Sequence, residues 1–226
     1  VLGTVSAQHT YGLLFRALWP LLSTEALIVG KRLHYPENLE EALKEARARG
    51  HRAVVIAAPA HLKRFTDSTL FEDARDCVIL AFSSTGPLDD EGARVARAAL
   101  GLFPMEVLGS TETGGIAWRR RSLESDGKIS TPPWKTVSGI TAGVRLEDGR
   151  VLPEGEGLLT LSGRHLDHEG WNDGSDRIRL DNTGFTLLGR ADRIVKIEGK
   201  RVALPEVEAL LVTGGLASEA KVFAFG

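Results

Sequence analysis

The sequence predicts an α/β chain that becomes β-rich towards its end, and three observations carry that prediction. Short unbroken apolar runs such as AVVIAA and CVILAF read as strands buried on both faces, the pattern of a parallel sheet. Between them lie amphipathic segments with helix-start and helix-stop residues. After about Pro132 the runs alternate and are separated by glycine turns, which is the mark of antiparallel hairpins.

Taken in order, ALIVG (26–30) is the first expected strand. PENLEEALKEARARG then reads as a helix, with Pro36 in its first turn, Leu39, Leu43 and Ala46 on one face, and Gly50 as its stop. AVVIAA is the second strand, followed by the short segment PAHLKRF, and CVILAF is the third. DDEGARVARAALG repeats the helix design with an acidic first turn and a terminal glycine, and MEVLG is the fourth strand. Beyond 132, GVRLEDGRVL, RIRLDNTGFTLLG and RIVKIEGKRVAL each read as a hairpin. LPEVEALLV, with Pro205 in its first turn, is a closing helix.

Composition narrows the function classes. Of the 226 residues, 42% are hydrophobic and 26% charged, which places the chain among ordinary globular proteins. A net charge of -2 with interspersed signs gives no broad basic surface, so neither nucleic acid nor an anionic membrane is the expected partner. Arg119, Arg120 and Arg121 form the one dense basic run, readable as a solvated segment or as steering for an anionic ligand. Cys77 is the only cysteine and lies in an apolar run, where a thiol acts as a small core hydrophobe. With no span long enough for a membrane, a cytoplasmic protein is expected.

Two loops hold the chemistry. In open α/β sheets ligands sit beyond the carboxyl ends of the strands. SSTGP (83–87) follows the third strand and GSTETGG (109–115) follows the fourth, so both are expected at one crevice. Amides freed by Gly109, with the hydroxyls of Ser110 and Thr111, suit phosphate oxygens. Glu112 suits them only through a hard cation such as Mg²⁺. The same stretch also reads as a plain strand-to-loop turn. Downstream, GRADRIVKIEGKRV reads on physical grounds as a charged edge hairpin. HLDHE (165–169) has two histidines but no second ligand cluster, so a metal site there is not expected.

The order of these motifs resembles the adenylate-forming superfamily of acyl-CoA synthetases, adenylation domains and luciferases. EVLGSTE is similar to its nucleotide loop, SSTGP to its adenine loop, and WNDGSDRI to the stretch holding the Asp before its hinge. GRADRIVKIEGKRV is similar to its hinge and following hairpin, and QHTYG stands near the start. The resemblance covers essentially the whole chain. The family's upstream phosphate loop and its late lysine are not within it, so an internal portion of a longer protein is expected.

That resemblance implies that 1–189 is part of an acyl-CoA synthetase-like large domain that binds nucleotide and acyl group, parallel α/β to about 131 and β-rich over 132–189. A hinge and the start of a small α+β C-terminal domain follow over 190–226. It implies that Thr85, Gly86 and Pro87 border the adenine, with Glu106 near its amino edge and Leu108 where an aromatic residue usually stacks on the base. Gly109 and Ser110 belong to the nucleotide loop, Thr111 touches the α-phosphate, and Glu112 holds Mg²⁺. Asp176 accepts from the ribose hydroxyls, with Asp173 as its rival, and Arg190 lies near the same sugar. Asp192 is the hinge pivot, and Lys196 and Gly199 face the adenylate or the incoming thiol. His9, Ala81, Phe82, Gly114 and Gly115 are assigned to the acyl site, His9 being equally readable as a structural residue.

The implied activity is ATP- and Mg²⁺-dependent conversion of a fatty or aryl carboxylic acid to its acyl-adenylate, and then to a thioester. The thiol acceptor is coenzyme A or the phosphopantetheine of an acyl carrier protein. The competing expectation is an inactive nucleotide-binding or scaffold relative.

Overall fold

The computed structural model describes residues 1–23, 26–110, 112–166, 170–191, 194–197, 200–217 and 220–222. They fall into two compact units, Val1–Val137 and Ser138–Gly226.

The first unit is built on a six-stranded sheet in the order β1-β2-β3-β4-β5-β8. β1 (Leu2–Gly3), β2 (Ala53–Ala57), β3 (Val78–Ser83) and β4 (Met105–Ser110) run parallel. β5 (Gly114–Arg120) turns back antiparallel to β4, and β8 (Lys135–Thr136) is antiparallel to β5. β6 (Ser122–Leu123) and β7 (Ile129–Ser130) form a separate short hairpin. The parallel grammar expected to about 131 therefore ends at β4, and the sheet is mixed.

Helices cover the sheet as their sequences dictate. α1 (Thr10–Gly12) and α2 (Trp19–Leu21) flank a π-helical stretch, Leu13–Leu18. α3 (Pro36–Ala48) starts at Pro36 and buries Leu39 and Leu43 completely. α4 (Pro59–Leu62) is a single turn. α5 (Asp90–Leu100) is capped by Asp89, whose Oδ1 accepts from the Gly92 amide at 2.8 Å, and it stops at Gly101 with φ 77°. Alternation along the strands divides the apolar residues. Val55, Ala57 and Ala81 pack with Leu39, Leu43 and Ala96 on one face, while Ile56 and Phe82 pack with Val5 and Tyr11 on the other.

One expected strand is corrected. ALIVG forms no ladder: residues 26–30 run alongside β1, joined to it by Val29 N to Val1 O at 3.1 Å, with Leu27 61% exposed. The buried Arg16 guanidinium instead ties this segment down through the carbonyls of Val29 and Lys31 at 3.2 and 3.3 Å. A five-residue apolar run fits an extended edge segment as well as a core strand, and here the side-chain cap fixes the former.

The second unit is an antiparallel sheet ordered β10-β9-β11-β12-β13. Its strands are β9 (Ile140–Arg145), β10 (Val151–Leu152), β11 (Gly155–Gly163), β12 (Asn172–Asp181) and β13 (Gly184–Arg190). Val144, Leu159, Ile178 and Phe185 form its buried interior. A two-stranded hairpin, β14 (Ile194–Ile197) with β15 (Lys200–Ala203), and α6 (Leu204–Thr213) complete it. The three expected hairpins and the closing helix are all present. Among the described residues no helix is long and apolar enough to cross a membrane.

Candidate active site

The loop after β3 is held in an unusual backbone state. Ser84 Oγ donates to the Val107 carbonyl at 2.8 Å, fastening the loop's start to β4. Thr85 then has φ 80°, the only positive φ among the described non-glycine residues. The left-handed region is disfavoured for a β-branched side chain, and residues held there cluster at functional sites. Thr85, Gly86 and Pro87 are all exposed, so the loop offers its backbone to a ligand.

GSTETGG forms the tip of the β4–β5 hairpin, with Gly109 opposite Gly115 and Ser110 opposite Gly114. A Cβ on Gly109 would stand 2.1 Å from the Gly114 carbonyl oxygen, so glycine is required for this close approach. The Thr113 amide donates to Ser110 Oγ at 3.2 Å, and the Ser110 amide donates to Thr113 Oγ1 at 3.3 Å. Thr111 lies outside the described residues. The turn is real, and its geometry leaves Glu112 exposed at the tip. A hydrogen bond from the Ser110 side chain holds the Glu112 carboxyl below the usual carboxylate range.

An ionised, exposed carboxylate fits Mg²⁺, which keeps several waters and takes one or two carboxylates together with substrate phosphates. No cluster of three or more His, Cys, Asp or Glu exists among the described residues. Glu112 is thus suited to share a cation with a bound phosphate rather than to cage one.

Arg120 of the basic run is exposed, but its two neighbours are drawn into the protein. Arg121 is buried: its Nε donates to Glu106 Oε1 at 2.7 Å, its Nη1 to Thr131 Oγ1 at 3.0 Å and to the Asp90 carboxylate, and its Nη2 to the Leu88 carbonyl. Arg119 Nη2 takes Glu106 Oε2 at 2.8 Å, and its guanidinium lies over the Trp134 ring at 4.3 Å. Both carboxylate oxygens of Glu106 are therefore committed inside the protein. That corrects its expected place at an adenine edge as far as the side chain is concerned, because a carboxylate shared by two arginines is not presented to a base. Leu108, two residues on, is half-buried on β4.

The acyl assignments divide. Ala81 and Phe82 are successive strand residues, so they point to opposite faces: Ala81 is fully buried in the α3/α5 core and lines nothing. Phe82 joins an aromatic group that sequence reasoning missed, with Phe15 at 4.8 Å, Trp19 at 5.8 Å, and Tyr11 meeting Phe15 at 5.2 Å. The signal lay in YGLLFRALW, where Tyr11, Phe15 and Trp19 recur every four residues and so share one helical face. His9 caps α1, its Nδ1 accepting from the Tyr11 amide at 3.3 Å, while the Tyr11 hydroxyl donates to the Ala57 carbonyl. Gly114, with φ 65°, and Gly115 lie on the hairpin arm.

In the second unit Asp176 and Arg190 are direct cross-strand partners on β12 and β13, so their side chains share one face. Asp173 is paired with Arg145 instead. Lys196 is opposite Arg201 in the β14–β15 hairpin. Asp192 and Gly199 lie outside the described residues, as do residues 167–169 of HLDHE.

No family model matches the sequence. The chain is 28% identical over 225 residues to a 4-coumarate–CoA ligase of Cereibacter sphaeroides, covering 98% of this chain and 46% of that protein. Its fold matches ATP-bound MatB from Rhodopseudomonas palustris with TM-score 0.71 at 21% identity, covering 93% of this chain and 44% of that one. A benzoate CoA ligase from Burkholderia xenovorans gives 0.69 at 21%, over 94% and 45%. The anthranilate CoA ligase AuaEII, in complex with anthranoyl-AMP, gives 0.66 at 16%, over 96% and 44%. This chain spans less than half the length of each. Sequence likeness and shared fold together support its resemblance to the adenylate-forming superfamily over almost its whole length.

Proposed function

We propose that this chain, which spans less than half the length of its relatives, belongs to an adenylate-forming ligase that activates a carboxylic acid with ATP and passes it to a thiol. The observation that carries this reading is the pairing of two loops at the ends of adjacent parallel strands. One presents strained, exposed backbone at Thr85–Gly86–Pro87, and the other an ionised Glu112 flanked by hydroxyls and glycines.

The acid's carboxylate oxygen attacks the α-phosphorus of ATP, forming a mixed acyl–phosphate anhydride as the bond from the α-phosphorus to the bridging oxygen breaks and pyrophosphate leaves. The 84–87 loop accepts the purine and the 109–115 tip the phosphates, with Thr111 at the α-phosphate. Mg²⁺ held by Glu112 and the nucleotide would neutralise charge on the phosphoryl oxygens. Asp176 and Arg190 serve the ribose. A thiol then attacks the acyl carbonyl and releases AMP, with Lys196 on the face turned to that step and Asp192 as the pivot of a small domain beginning at 190.

The relatives named for 4-coumarate, benzoate and anthranilate favour an aryl acid over a fatty one. The aromatic group around Phe82 supports the same class. Their description as CoA ligases favours coenzyme A over a carrier-protein arm. Leu108, an aliphatic side chain where a stacking ring is usual, favours the competing reading of a nucleotide-binding relative without activity.

The test is carboxylate-dependent exchange of labelled pyrophosphate into ATP by the full-length protein, across aryl and fatty acids. Exchange with aryl acids is the expected result. ATP binding without exchange for any acid would favour the inactive relative.

A further inference from the structure

Two ties fasten the 84–90 segment to the strand beside it. At its start the Ser84 hydroxyl donates to the Val107 carbonyl at 2.8 Å. At its end Arg121 Nη2 donates to the Leu88 carbonyl and Nη1 to Asp90, while Nε holds Glu106 at 2.7 Å. Glu106 and Val107 are neighbours on β4, the strand that runs directly into the 109–115 tip. Between the ties lie the exposed residues 85–87, with Thr85 at φ 80°.

An exposed loop has little packing of its own to enforce a disfavoured backbone state. Such states persist where the surroundings over-determine them. The Arg121 side chain is 5% exposed and its four acceptors lie on three separate segments: 88–90, β4, and Thr131. Arginine suits this place because its planar fork offers several donors in fixed directions, which an ammonium cannot reproduce.

We propose that Arg121 is a positioning residue that holds the 84–87 loop in its left-handed geometry at a fixed separation from the 109–115 tip, so that one adenosine nucleotide meets both. This rests on the nucleotide-binding function proposed for those loops. Arg121 touches no ligand itself. It acts through Leu88, Asp90 and Glu106.

Arg121→Met and Arg121→Lys in the full-length protein test it, with amide exchange over 84–90 followed without nucleotide, and affinities for ATP and for inorganic pyrophosphate measured by calorimetry. Arg121→Met is expected to speed exchange at 84–90 and to weaken ATP about tenfold, while pyrophosphate, which has no purine, stays within about twofold. Arg121→Lys falls between. Adding Thr85→Gly to Arg121→Met recovers most of the ATP affinity, because glycine takes a positive φ unaided.

Unchanged exchange and ATP affinity in Arg121→Met would overturn the proposal. Equal weakening of ATP and pyrophosphate would overturn it too, since that marks general loss of structure. Should Arg121→Met fail to fold, Arg121→Lys with and without Thr85→Gly makes the same comparison. A wild-type protein that binds no ATP would overturn the nucleotide function instead, and amide exchange would still decide whether Arg121 holds the loop.

Discussion

Arg121 Nε and Glu106 Oε1 lie 2.7 Å apart with both side chains 5% exposed, and Arg119 completes the pair of guanidinium groups on one carboxylate. Removing the carboxylate leaves two cations facing each other out of water. Glu106→Ala is therefore expected to cost about 3–5 kcal/mol, the range for breaking a buried ion pair from one side. Asp90→Asn should cost under about 1 kcal/mol, because Asp90 is 61% exposed and solvent replaces it. Urea denaturation midpoints check both. Equal losses for the two would mean that Glu106 is not the hub of the network.

The Ser110 hydrogen bond makes a prediction about pH. A carboxyl held below its ordinary range stays ionised as pH falls through the usual glutamate values, and it loses its charge only below them. Mg²⁺-dependent ATP binding should accordingly persist into mildly acidic buffer. Ser110→Ala, by removing the hydrogen bond, should move the loss of Mg²⁺ response to higher pH. Glu112→Gln should lower adenylate formation about a hundredfold wherever the wild-type carboxyl is ionised, the gap closing at pH values low enough to protonate it. Magnesium titrations at descending pH check the set, and a Ser110→Ala profile that matches wild type would rule out the hydrogen bond as the cause.

Much of this fold was legible because its signals are local. Pro36 and Gly50 bracket one helix, Asp89 and Gly101 cap another, and Asp148-Gly149 marks a hairpin that forms as expected. What escaped depends on distant partners. Nothing local in RRR says that Arg121 will reach 15 residues back to Glu106 and 31 back to Asp90. ALIVG lost its strand to a carbonyl clamp from Arg16, 13 residues before Val29. The loop motifs were found, but that GSTETGG turns back on itself follows only from the β4–β5 register, which composition does not encode.

Gly109 tests that turn directly. The atom nearest a new Cβ is the Gly114 carbonyl oxygen at 2.1 Å, a backbone atom of the facing strand that cannot swing aside. Gly109→Ala must push the two arms apart and displace Glu112. A loss of Mg²⁺-dependent adenylation of about a hundredfold is expected, with far smaller change for Gly30→Ala, which lies outside the site and where a Cβ meets nothing within 4 Å. Pyrophosphate-exchange rates compare the two, and similar losses would show that the hairpin tip tolerates widening.

The choice between Asp176 and Asp173 as the ribose ligand can be settled by separating binding from stability. Asp176 faces Arg190 across β12 and β13, so the residue pair that the resemblance assigns to one sugar is brought together by strand register alone. Asp173 is engaged elsewhere, on Arg145, whose guanidinium also reaches the Gly149 carbonyl at 2.9 Å and so braces the β9–β10 turn. Asp176→Asn keeps the shape but loses the charge that strengthens a hydrogen bond accepted from a sugar hydroxyl, and it should raise the KM for ATP about tenfold. Asp173→Asn should lower the melting temperature by about 1–4 °C through the partly exposed pair, at about one-half to one kcal/mol, and leave the KM for ATP alone. Steady-state kinetics beside thermal melts distinguish them. A raised KM in Asp173→Asn with none in Asp176→Asn would transfer the ribose role to Asp173 and take Arg190 out of the site with it.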